Sequence, residues 1–307
     1  MAETARKGAM GLKRLRGSLR QVIVFSLFVV LLMAGYSAYK GFGQSIDDAQ
    51  TDWPVVGSIL PRTDDLTMPS VFEIIAGVFA EPRGLNEAFG SIVLREAAFT
   101  LREAAVGFSV GVIVGLTIAI VLSSSQLMER ALVPHVIASQ TIPLIAVAPI
   151  VVIWGRKNMD FLPWEWHDWM SVSLIATYLT FFPVAINGLR GLHSPSSEAL
   201  ELMDSYAARR GQTLWRLRLP ASLPYLFSAF KIAATASVVG AIVGEISAGV
   251  TGGLGRRILL EAQRYTTGPE RLYVAVLGAA ALGIFVFLCI SLLEYSLVRR
   301  KGTEAIL

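Results

Sequence analysis

The sequence predicts an all-α, polytopic membrane protein with six transmembrane helices, and three observations carry that prediction. Of 307 residues, 54% are hydrophobic, only 16% are charged, and the mean hydropathy is +0.58; soluble domains carry about 25% charged residues. Apolar runs of about 20 residues, the length that crosses a bilayer as a helix, recur six times. Every backbone polar group in lipid needs a partner within the chain, so uninterrupted runs of that length select helices. The net charge of +4 and pI near 9.3 would suit nucleic acid. The basic residues sit beside apolar runs without exposed aromatics among them, however, and membrane orientation accounts for them. Cys289, the single cysteine, lies inside the last apolar run, so neither an internal disulfide nor a thiolate metal site can form.

Residues 1–20 form a basic cytosolic amino terminus, and 21–39 run without a charge as the first span. That run is longer than a signal-peptide core and no small-x-small cleavage site follows, which predicts an uncleaved anchor. Residues 40–95 lie on the opposite side, with an amphipathic interfacial helix over 69–79. The core, 96–298, opens with a span over about 104–122. There Gly107, Gly111 and Gly115 place a small residue on every turn of one face, a row that lets two helices approach closely. The same stretch spells G-F-S-V-G around Ser109, but a nucleophile elbow needs a preceding strand and none is predicted.

The third span, about 132–154, contains Pro143 and Pro149 with Gln140 and Thr141 just before the first. It reads either as a tolerated kink or as an interrupted helix lining a transport path. Trp164, Trp166 and Trp169 in the following loop read as an outer aromatic belt, with His167 an interfacial residue. The fourth span covers about 169–189. In the fifth, about 223–246, Lys231 is placed to snorkel to the headgroups. Gly240 and Gly244 repeat the small-residue spacing. Glu245 lies near the outer end, as a gate or pathway group or as a partner of Arg256 or Arg257. After the T-G-G-L-G-R-R stretch from Thr251 to Arg257, the sixth span runs over about 272–293, and 299–307 form a cytosolic tail. The proposed cytosolic pieces hold fifteen Lys and Arg against eleven in the longer outer pieces, which orients both termini to the cytosol.

Between the fourth and fifth spans, the cytosolic loop 190–222 is the one long polar stretch with its own pattern. Ser194 and Pro195 read as a helix start, acids precede Arg209 and Arg210 as the helix dipole prefers, and Gly211 reads as a left-handed cap. Leu200, Met203 and Ala207 give a narrow apolar stripe, and a second short helix, 212–219, ends at Pro220. The stripe packs on the chain itself or docks a partner.

No lysine follows a glycine, so the phosphate-cradling loop of nucleotide-binding proteins is absent. No histidine opens a zinc-peptidase pattern and no span shows paired carboxylates, which speaks against an intramembrane enzyme. An ion-coupled secondary carrier would show buried ionisable groups or an inverted repeat, and the sequence offers neither. That carrier and a non-transport membrane scaffold are the alternatives to a permease powered from outside the chain.

The loop resembles the cytosolic signature of permease subunits of bacterial ATP-binding cassette importers: Glu-Ala-Ala, three residues, Gly, nine residues, Ile-x-Leu-Pro. Glu201 stands at the Glu, Leu202 and Met203 replace the alanines, Ala207 replaces the Gly, Leu217 stands for Ile, and Leu219 and Pro220 match Leu-Pro. Stretches from Thr100 to Gly155, from Leu219, and A-I-V-G-E-I-S-A-G with T-G-G-L-G look like the branch handling nitrate, sulfonates, taurine and thiamine or riboflavin precursors. The resemblance implies a type I importer permease fold and a second permease copy. It also implies cytosolic ATPase subunits that carry ATP and Mg, and an extracytoplasmic solute-binding protein. It implies no catalytic residue or cofactor in this chain. Glu201, Leu202, Met203, Ala207, Leu217 and Pro220 are the expected ATPase-coupling residues, with Pro143, Pro149 and Glu245 as pathway candidates.

Overall fold

A computed structural model describes residues 23–24, 26–45, 63–82, 86–159, 161 and 163–304. The expected basic terminus 1–20, the linking stretch 46–62 and the last three residues of the expected cytosolic tail lie outside the described residues. Every regular element among the described residues is helical. The helices are α1 (Ser26–Ser45), α2 (Val71–Phe79), α3 (Phe89–Ser123), α4 (Gln126–Ser139), α5 (Leu144–Asn158) and α6 (Asp168–Leu192). They continue with α7 (Ser197–Ser205), α8 (Arg210–Thr213), α9 (Leu219–Ala248), α10 (Leu254–Gln263) and α11 (Pro269–Glu304). Five are long and apolar enough to span a membrane, and α4 with α5 make a sixth if the bent pair is one span.

Helix α6 is the axis of the packing because α3 and α9 clasp it from two sides through their glycine rows. A Cβ at Gly107 would lie 2.7 Å from the Ser173 carbonyl oxygen, one at Gly115 2.6 Å from that of Phe181, and one at Gly240 2.8 Å from the Ala176 Cα. Backbones this close gain dispersion contacts that lipid cannot match, so the small-residue spacing does set helix association. The main apolar core gathers Phe89, Ile92 and Val93 of α3, Val172 of α6, Val238 and Ala241 of α9, Leu254 of α10, and Val274 and Leu282 of α11.

The expected third span is not one rod: α4 and α5 meet at 91°. Pro143 removes the N–H that would have bonded the Ser139 carbonyl one turn back. That oxygen accepts instead from the Ile142 N–H at 3.3 Å and from the Tyr178 hydroxyl of α6. Pro149 stays inside α5, whose buried residues are Ala148, Val152 and Gly155.

Several helices outrun their apolar runs. At 35 residues, α3 is about 50 Å long, longer than a bilayer core is thick, and its N-terminal half carries Arg95, Glu96, Arg102 and Glu103. The first helix continues to Ser45, and Lys40 reaches Asp65 at 2.7 Å. The interfacial helix forms over Val71–Phe79 behind a capping box of Ser70 and Glu73. It inserts Ile74 and Val78 against the core and leaves Phe72 and Phe79 exposed.

Of the expected tryptophan belt, only Trp164 is exposed outright. The Trp166 indole donates to Ser171 Oγ at 2.9 Å, and Arg102 lies 4.4 Å over the ring of Trp169. Lys231 does not rely on headgroups alone, since its ammonium meets Glu294 of α11 at 2.8 Å.

Candidate functional site

The loop expected in the cytosol folds as a helix, but two residues later than the Ser194 start. Ser196 is the N-cap, its hydroxyl accepting from the Ala199 N–H at 3.3 Å, and Pro195 precedes the helix. The acidic first turn puts Glu198 at the positive end of the helix, where the free amides and the Ser196 hydroxyl hold its carboxyl below the usual carboxylate range. Four residues earlier than the Gly211 stop, α7 closes by paired bonds: Ala208 N–H to Met203 O at 3.0 Å and Ala207 N–H to Asp204 O at 2.9 Å. This is the Schellman arrangement, whose residue after the helix takes a left-handed conformation, usually as glycine. Here that residue is Ala207, at φ 51°. The glycine of the importer signature falls at this position, so the register is explained by backbone geometry, and alanine carries a strain of about 1 kcal/mol.

Gly211 instead sits inside α8, and Pro220 starts a helix rather than ending one. A π-helical turn, Leu214–Arg218, joins α8 to α9, with the Leu219 N–H donating to the Leu214 oxygen. Pro220, next in the chain, has no N–H to donate in either the wider or the ordinary turn.

The loop has two faces. Leu200 and Met203, two members of the expected stripe, are half-buried, and Leu200 lines the space next to the ends of α3 and α6. On the outward side Leu202 is 57% exposed and Tyr206, one turn on, 77%; Trp215 beyond them is 71% exposed. Glu201, Ala207 and Pro220 are exposed as well, and Leu217 is half-buried. Sequence reasoning missed Tyr206 and Trp215. Their signal was the i, i+4 pairing of Tyr206 with Leu202 on the face opposite the chosen stripe.

At the expected outer end the structure overturns the expected arginine pairing of Glu245. It is fully buried and pairs with neither Arg256 nor Arg257. One carboxyl oxygen accepts from Thr100 Oγ1 at 2.7 Å and the other from the Gly255 N–H at 2.5 Å. The Gly253 N–H donates to Glu96 at 2.6 Å and the Leu254 N–H to Thr100 Oγ1 at 2.8 Å. The free amides that open α10 are thus answered by side chains of α3 and α9, as a helix N-terminus favours. Arg257 instead joins Glu96 and Glu261, both at 3.4 Å. Gly252 and Gly253 have φ of 116° and 90°. A Cβ at Gly253 would also overlap the Glu245 carboxyl, which gives T-G-G-L-G its physical reason.

Glu103, fully buried, lies against the Glu245 carboxyl without a donor of its own. Buried ionisable groups and a pair of carboxyls therefore exist, contrary to the sequence reading. No single span shows the pair, because α3 and α9 each contribute one member. Pro143 and Pro149 lie on the bent α4–α5 pair, which contributes no residue to this network.

Comparison with known proteins agrees with this architecture. A family model for the binding-protein-dependent transport system inner membrane component matches residues 111–302. The formylaminopyrimidine transport permease protein ThiX of Halalkalibacterium halodurans is 31% identical over 242 residues, 75% of this chain and 90% of that protein. The riboflavin transport system permease protein RibX of Chloroflexus aurantiacus is 32% identical over 57% of this chain and 61% of its own length. The inward-facing MetNI methionine ABC transporter shares the fold at 17% identity with a TM-score of 0.56, over 67% of this chain and 96% of that one. This chain belongs to the family of binding-protein-dependent transport system inner membrane components, the multi-pass permease subunits of ATP-binding cassette importers.

Proposed function

We propose that this permease is driven by a cytosolic ATPase that docks on the outward face of α7. The observation that carries this reading is a capped helix presenting Leu202 and Tyr206 one turn apart, with Trp215 further along the same loop, all largely exposed. Exposed apolar side chains grouped on a polar loop mark a protein interaction surface. Glu201, Leu202, Tyr206, Ala207 and Trp215 form the contact. Met203, Leu217 and Pro220 transmit its movement through the π-helical turn to α9, with which that turn is continuous. ATP and Mg belong to the ATPase. A second permease copy completes the pathway, the termini are cytosolic, and an extracytoplasmic binding protein delivers the solute.

The cargo is a small polar solute. The names of ThiX and RibX favour an aminopyrimidine or flavin-type heterocycle over nitrate, sulfonate or taurine. Although buried carboxyls are the mark expected of an ion-coupled carrier, both oxygens of Glu245 are occupied in holding a turn. The test is uptake into proteoliposomes holding the permease, its co-purified ATPase and the binding protein, with heterocycle and anion cargoes offered in turn. ATP-dependent uptake that is lost in Ala207→Asp is expected. Aspartate tolerates left-handed backbone better than alanine, so the loss reports the added charge. ATP-driven uptake at the wild-type rate in that variant would overturn the docking site.

A further inference from the structure

Behind α7 lie two adjoining cavities of about 580 and 480 Å³, sharing Ser123, Ser124, Leu200 and Arg218. They open between the end of α3, the start of α4, the end of α6 and the inner face of α7. Arg130 and Arg218 line the first, Arg210 and Arg218 the second. None of these three arginines has a carboxylate within ion-pair distance among the described residues. Two acids are present as well. Glu129 faces His193 at 3.9 Å, and Asp204 lines the second cavity. The first turn of α4 adds the positive end of a 14-residue helix.

We propose that this double cavity holds the phosphate headgroup of an anionic phospholipid. The level is right, since the cavities sit where apolar α3 and α6 reach their proposed cytosolic ends. Basic pockets between spans on that side are headgroup sites. A free phosphate would use the arginines alone. A lipid also uses Ile120, Leu192 and Leu214, apolar wall residues leading back toward the spans. A headgroup bridging Arg130 of α4 and Arg218 of the π-helical turn would brace Leu200, and with it α7, against the spans. Binding itself does not depend on the docking reading, whereas any effect on ATPase coupling does.

The test is thermal unfolding of the full chain in neutral detergent, titrated with phosphatidylglycerol, phosphatidylcholine or inorganic phosphate. Phosphatidylglycerol should raise the midpoint and phosphatidylcholine should not, with the shift shrinking in high salt. Removing one arginine, by Arg130→Gln or Arg218→Gln, should weaken the apparent affinity about fivefold, and removing both about 25-fold. Arg190→Gln, on the same side and outside the cavities, should titrate as wild type. Arg130 makes no hydrogen bond or ion pair among the described residues, so its variant carries the test alone if Arg218→Gln, which gives up the Ser123 carbonyl, fails to fold. Equal response to the two lipids, or an Arg130→Gln protein that titrates as wild type, overturns the proposal. Protection by inorganic phosphate equal to that by phosphatidylglycerol assigns the cavity to a free anion and overturns the lipid.

Discussion

The two ends of this molecule solve the same local problem in opposite ways. Each has a short helix joined to a span through a left-handed residue. At the proposed outer end the left-handed residues are Gly249, Gly252 and Gly253, and the amides opening α10 are bonded by Glu96, Thr100 and Glu245 from two other helices. At the proposed cytosolic end the left-handed residue is Ala207, the cap of α7 comes from its own Ser196, and Leu202 and Tyr206 are exposed. The outer helix uses its polar groups to hold the spans together; the cytosolic one keeps an apolar face uncommitted. Stability should therefore depend on the first and association on the second.

The largest expected effect tests the outer half of that contrast. Glu245→Ala leaves the Thr100 hydroxyl and the Gly255 N–H without their acceptor in a fully buried site. Breaking a buried charged network from one side costs about 3–5 kcal/mol. The variant should show a large drop in unfolding midpoint in nanodiscs or fail to accumulate. A midpoint within a degree of wild type would mean that water or rearrangement replaces the network.

Next in size, Gly253→Ala should cost about 1–3 kcal/mol, from a left-handed backbone and a methyl placed on the Glu245 carboxyl. Combined with Glu245→Ala its cost should be much smaller than alone, because the overlapping group is gone. A double-mutant cycle in the same unfolding assay reads that difference, and simple additivity would separate the glycine from the carboxylate.

How much of this was legible in the sequence depends on the range of each signal. The spans, the glycine rows and the loop register rest on spacings within one helix, and α3, α6 and α9 pack as those spacings require. The turn network was not legible because its members, Glu96, Thr100, Glu103, Glu245 and Gly253, are up to 157 positions apart. Only the packing of α3 against α9 makes them neighbours. In the same way, Pro143 announced a break but not its angle, and nothing local pointed to Tyr178 as a donor for the freed Ser139 carbonyl. The loop boundaries differ for another reason: glycine marks a left-handed stop in a sequence, and here an alanine occupies that conformation.

That alanine gives the third prediction. Ala207→Gly should raise stability by about 1 kcal/mol, since glycine adopts φ 51° without a Cβ penalty, less its greater freedom in the unfolded chain. An unchanged or lower midpoint would show that the strain is relieved elsewhere in α7.

The smallest expected effect on stability carries the most weight for the cytosolic half. Leu202→Ser with Tyr206→Ser removes two side chains that are 57% and 77% exposed; Tyr206 caps α7 through its backbone N–H, which serine keeps, and surface changes that leave such bonds in place stay within about 0.5 kcal/mol. The unfolding midpoint should therefore not move. Association should behave differently, because exposed aromatic and aliphatic anchors supply most of the free energy of an interface, commonly about 2 kcal/mol or more each. The ATPase that co-purifies with the wild-type permease in mild detergent should then be lost, at unchanged permease yield. If the midpoint falls instead, the outward face is part of the fold and the contrast between the two ends fails. If both midpoint and co-purification are unchanged, the partner docks elsewhere, and the apolar face of α7 needs another explanation.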